Sequence, residues 1–393
     1  MLKTVWIKMM AAVVILMAGW GWMPGEMVSE AAQEKDIQWP GMEVYGDDWG
    51  EIDRFLQREA GEQEEVSFTS LVKLIMDGKG KEAGRMILAG IRGALFRELA
   101  HGIRLAGELL ALGMIGAIFA NFSNIFTGSK VSETGFFMTY LLVFTLLASA
   151  FTDSMEITKN VLMRQIEFMR VLLPCYFPVA AWAGGSISAA AWMEFLLFLI
   201  ALAEWAYLNL LLPLAKAYIL LVMAGNIAQE NMLSKLTGIL RSVIGWGNRW
   251  LVGLVLGFHL VQGMVLPYAD SVKMGGMQKL LQAIPGVGDG AGAVTKMVVG
   301  TGVLVKNTMG AAGVAVLMAV SLTPLLKLAV LLGLYQAVTG ILQPIGDRRL
   351  IACMGSVADG QKILLGLAAS NLVLFVVTIA LVCVGTNGAY QGM

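Results

Sequence analysis

The sequence predicts an all-α, polytopic helical membrane protein of about seven or eight spans, with an exported N-terminal polar and amphipathic region. Three observations carry this. Apolar residues are 57% of the 393 and charged residues 14%, against roughly 45–50% and about 25% in soluble domains. The mean hydropathy is +0.72. Half of the charged residues fall within the first 104 positions, which leaves long charge-free windows beyond them. The formal net charge is zero, so no basic footprint for nucleic acid exists.

Residues 1–31 read as a signal peptide. Lys3 and Lys8 form a positive start, residues 9–23 an apolar run too short for a comfortable span, and Ser29 and Ala31 the small residues of a cleavage site. Residues 32–65 are an acidic linker, in which eleven acidic residues face only Lys35, Arg54 and Arg58. Such a segment is a flexible connection or a docking segment for a partner. Residues 66–104 form an amphipathic helical region. Ile87, Ile91, Leu95, Leu99 and Ile103 recur every four residues, with Arg85, Arg92, Arg97 and Arg104 beside them, a pattern that lies along a membrane surface.

The multi-span membrane domain is 105–393. Charge-free windows at 109–129, 134–152, 250–269, 307–326, 328–346 and 363–393 are each long enough for a helix of about 20 residues. Two more spans fit between Arg170 and Glu230, meeting near Leu212 and Pro213. Two segments read as irregular. Residues 171–193 contain Pro174, Pro178, Gly184 and Gly185, and residues 276–306 contain Pro285, Gly286 and Gly288. Prolines and paired glycines disfavour an unbroken helix. Each segment is either re-entrant or a surface loop with an interfacial helix.

No catalytic, cofactor-binding or metal-binding residue emerges. Phosphate-loop, nucleophile-elbow and metalloprotease motifs are absent. Three cysteines and two histidines have no metal-ligand spacing. The candidates are instead ionisable groups within apolar stretches: Glu194, Glu204, Lys216 and Lys327, with Glu108 at an edge. A charge at mid-bilayer costs about 2.5–3.5 kcal/mol, so such groups face protein, a wet cavity or the headgroups. Lys327, just after Pro324, also suits a tight turn between two spans. Trp246 and Trp250 beside Arg249 read as interfacial anchors.

Several stretches resemble the stage III sporulation protein AE family. They include Asn121 to Asn124, Val131 to Phe136, Ala183 to Ser186, Leu212 to Leu214 and Leu233 to Leu236. Further on are Gln262–Gly263, Ile284 to Gly288, Lys306–Asn307 with Gly310 and Gly313, and Pro344–Ile345 before Asp347–Arg348. The likeness spans about 66–385. It implies a non-enzymatic protein of endospore-forming bacteria, in the mother-cell membrane around the forespore. It also implies a place in a channel or secretion-like complex with the other stage III A sporulation proteins and a forespore membrane partner across the intermembrane space. The irregular segments and the charges within apolar stretches leave a second reading, an independent secondary transporter of a small solute.

Overall fold

Apolar stretches of this length give the backbone no water to bond, so each must satisfy its own N–H and C=O groups, and helix is the outcome. The computed structural model describes residues 52–54, 99–100, 102–119, 130–182, 186–226, 233–282 and 288–385. For 130–133, 182, 186–192, 259–260, 262–282, 288–299, 301 and 384–385 it describes the backbone only. The expected signal peptide and most of the acidic linker and of the amphipathic region lie outside these residues. No strand occurs among the described residues.

The helices are α1 (Gly102–Phe119), α2 (Lys130–Trp182), α3 (Ser186–Glu204), α4 (Leu212–Gly225), α5 (Ser234–Gln282), α6 (Gly288–Leu342) and α7 (Arg348–Gly385). A π-helical turn, Trp205–Leu211, joins α3 to α4. Among the described residues, five segments are long and apolar enough to cross a membrane: α1, α2, the joined α3–α4 path, α6 and α7. Hydroxyl side chains within α2 bond to their own helix. Thr145, Thr152 and Thr158 each donate to the carbonyl four residues back at 2.8 Å, which removes their cost in apolar surroundings.

Contacts between helices fix their directions. Gln165, Ser321 and Asn371 meet at one level of α2, α6 and α7, and Tyr176 meets Cys383 farther along. From one level to the next, α2 and α7 both rise about 17 Å, so they run parallel. In α6, Ser321 faces Gln165 while the earlier Gly310 faces Cys383, so α6 is antiparallel to both. The α3–α4 path descends along α2, with Glu204 beside Arg170 and the Met223 carbonyl accepting from Tyr140. α5 climbs with α7 through Arg241–Asp359 and Asn248–Ser370. α7 touches α2, α4, α5 and α6 and forms the centre of the bundle.

These registers bring eight of the exposed charges into one belt. It contains Asp153, Glu156, Lys159 and Glu167 of α2, Lys216 of α4, Arg241 and Arg249 of α5 and Lys362 of α7. An apolar girdle lies on each side. The first exposes Met114 and Ile118 of α1 with Met138 and Leu142 of α2; the second exposes Phe198 of α3, Phe258 and Val261 of α5 and Leu304 of α6. Between residues 134 and 182, α2 extends about 70 Å. A hydrocarbon core is about 30 Å thick. One bilayer therefore covers one girdle and leaves the other outside.

The structure corrects several expectations. Pro174 and Pro178 lie inside α2 and do not break it. Four residues apart, both point outward, while Leu172, Leu173, Tyr176, Phe177 and Val179 hold the opposite face in the core. The cost is two lost hydrogen bonds on one side of the helix. Gly184 and Gly185 lie outside the described residues, between the end of α2 and the start of α3. The irregular stretch expected over 276–306 is helical up to Gln282 and again from Gly288, the first residue of α6. A glycine costs a helix only about 1 kcal/mol, less than unsatisfied backbone in apolar surroundings. Pro285 and Gly286 fall outside the described residues.

Nor do two spans meet at Leu212 and Pro213. The Leu212 N–H bonds back to the Tyr207 carbonyl, five residues earlier. This wider turn makes room for the ring of Pro213, and the chain continues straight on. α6 likewise runs through Pro324 and Lys327 without a turn, so the windows 307–326 and 328–346 belong to one helix. The window 250–269 lies within α5, whose side chains are described continuously only up to Phe258. Since packing rather than the prolines sets the course of α2, Pro178→Ala should raise stability, by up to about 3 kcal/mol. Thermal unfolding in detergent reads this, and a lower midpoint would mean that the proline is needed.

Candidate functional site: a buried polar column

The interior of α2, α6 and α7 holds a column of polar side chains with almost no solvent contact. At its middle level Gln165 Nε2 donates to Ser321 Oγ at 3.0 Å, and Asn371 Nδ2 donates to Gln165 Oε1 at 2.8 Å. All three residues are fully buried. Toward the first girdle, Gln361 Nε2 donates to the Leu328 carbonyl at 3.2 Å, and the buried Tyr335 lies about two helical turns farther along α6. Toward the second girdle, Lys306 is also fully buried, with Asn307 next in sequence. Tyr176 OH donates to Cys383 Sγ at 3.4 Å on the same level.

Four polar atoms in this column are buried without a hydrogen-bond partner: Asn307 Oδ1, Tyr335 OH, Gln361 Oε1 and Asn371 Oδ1. Each such atom costs about 1–3 kcal/mol. Apolar replacements of similar shape would remove that cost.

Small residues allow this close approach. A Cβ placed at Gly310 would collide with Cys383 Sγ, and one at Gly313 would come within 2.9 Å of Leu172. The family model described as stage III sporulation protein AE matches residues 66–386. The chain belongs to the stage III sporulation protein AE family. The relative of that name from Bacillus subtilis (strain 168) is 25% identical over 293 residues, which is 74% of this chain and 73% of the relative. No solved structure matches the chain. Within this stage III AE chain, Lys306, Asn307, Gly310 and Gly313 supplied part of the likeness in sequence. The structure places Lys306 and Gly310 at the level of the column toward the second girdle, with Gly310 against Cys383.

The ionisable candidates are not brought together. Glu204 forms an ion pair with Arg170, with about a third of its side chain exposed. A pair this open contributes at most about 1 kcal/mol. Glu194 is exposed on α3, Lys216 is exposed on α4 and Lys327 is half-buried on α6. Because the helix continues through Pro213, Lys216 does not turn back toward either acid. Glu108 is exposed on α1. Among the described residues no group of three or more His, Cys, Asp or Glu could hold a metal. Cys175, Cys353 and Cys383 are all free thiols.

Sequence reasoning missed Gln165, Ser321, Gln361 and Asn371 because it searched for charges. Asn371 and Ser321 stood inside charge-free windows, where an amide or hydroxyl was the available signal.

Proposed function

We propose that the protein is a multi-pass component of a membrane complex that joins mother cell and engulfed forespore during endospore formation. It acts without catalysis of its own, in the mother-cell membrane around the forespore. Its partners are the other stage III A sporulation proteins and a forespore membrane protein across the intermembrane space. The observation that carries this reading is the pair of girdles. A stand-alone transporter needs one apolar band, whereas this chain has two, separated by exposed charges.

The second girdle suits the bilayer. Trp205, Trp246 and Trp250 are exposed along its edge with the belt, where interfacial tryptophans gather. The first girdle then lies outside, on the side to which an exported 32–104 segment is delivered, and partner proteins cover its apolar surface. The transporter reading draws on one observation, the buried column between helices.

Isolation of a tagged chain from sporulating cells in mild detergent separates the two. The complex reading expects the other stage III A proteins in constant proportion to the tagged chain. Recovery of the chain alone, folded and at normal abundance, would favour the transporter.

A further inference from the structure

We propose that the outer face of α5 carries a binding site for one anionic phospholipid at the edge of the second girdle. The phosphate sits at Arg249 between Trp246 and Trp250, and an acyl chain lies along Leu254, Phe258 and Val261.

The site is a shallow groove of about 340 Å³ lined by Trp246, Arg249, Trp250, Gly253 and Leu254. The two indoles stand 5.3 Å apart between ring centres and are tilted by 56°. Each is more than half exposed. Arg249 spends one donor internally, as its Nε bonds to the Gly245 carbonyl at 3.0 Å. That bond fixes the root of the side chain and leaves the terminal N–H groups for a phosphate, which accepts such a fork well. Gly253 opens the floor of the groove, since a Cβ there would meet nothing within 4 Å.

Below the headgroup the face is apolar at Leu254, Phe258 and Val261. Residues 246, 250, 254 and 258 are four apart and share one side of the helix. Phe258 packs on Phe195 of α3, with ring centres 5.2 Å apart, so the track is a seam between two helices. Charge selects the lipid. The groove lining has one cation and no carboxylate, and the nearby Arg241 is already paired with Asp359. A headgroup with a net negative charge satisfies Arg249. The ammonium of a zwitterionic headgroup finds no acceptor in the lining.

Native mass spectrometry of the full chain, released from nanodiscs of phosphatidylcholine and phosphatidylglycerol in equal amounts, tests the assignment. Phosphatidylglycerol should be retained preferentially. Arg249→Gln should lower that preference about fivefold. Gly253→Leu should abolish retention with the arginine intact, while Lys362→Gln, on α7, should change neither. Equal retention of the two lipids, or a preference unaffected by Arg249→Gln, would overturn the proposal. So would displacement of the lipid by inorganic phosphate, which would make the groove a free-anion site. Capture of protein instead of lipid by a photocrosslinker at Trp250 in sporulating cells would overturn it as well. The site depends on the second girdle meeting lipid, and its readouts are independent of whether the chain joins a complex.

Discussion

Asn371→Leu should destabilise the protein by about 1–3 kcal/mol and abolish its contribution to sporulation. The mutation removes the donor to Gln165 Oε1 and leaves that oxygen buried among α2, α6 and α7 with no other recorded partner. The informative comparison is the triple variant Gln165→Leu, Ser321→Ala, Asn371→Leu. It deletes the whole level, leaves no orphaned group and should recover most of the lost stability. If the column acts in function, the triple variant accumulates normally in the membrane and still fails to support sporulation. Normal sporulation of the triple variant would reduce the column to a packing feature. Thermal unfolding in detergent and spore counts give the two readouts.

Gly310→Ala should be at least as damaging. Its methyl group would enter the space of Cys383 Sγ at a close α6–α7 contact near the buried Lys306. Overpacking of this kind costs about 1–3 kcal/mol where neighbours cannot move. Cys383→Ala removes the obstructing sulfur, so the double variant should regain abundance and melting temperature. A double variant no better than Gly310→Ala would show that backbone freedom at Gly310, rather than space, is what matters.

The fold class was legible because it follows from bulk solvation. Long charge-free windows must become helices: those at 134–152 and 307–326 lie within α2 and α6, and the described part of 363–393, up to Gly385, lies within α7. The ends and joins of those helices were not legible. Pro174, Pro178, Pro213 and Pro324 each read locally as a break, yet packing on the opposite face and one π-helical turn carry the chain through them. Lys327 looked like a divider between spans for the same reason: local sequence cannot report the neighbours that hold a helix straight. The column was hidden by distance, since Gln165 finds its partners 156 and 206 residues away. No periodicity within one helix announces such a meeting.

The central claim, a component whose apolar surface is completed by other proteins, is tested most directly by photocrosslinking in living cells. A crosslinking amino acid at Met138 probes the first girdle and one at Phe198 probes the second; both side chains are more than half exposed in the chain alone. Met138 should yield protein adducts in sporulating cells and none when the chain is expressed by itself, while Phe198 yields lipid adducts in both. Lipid adducts at Met138 in sporulating cells, with no attached protein, would contradict the account.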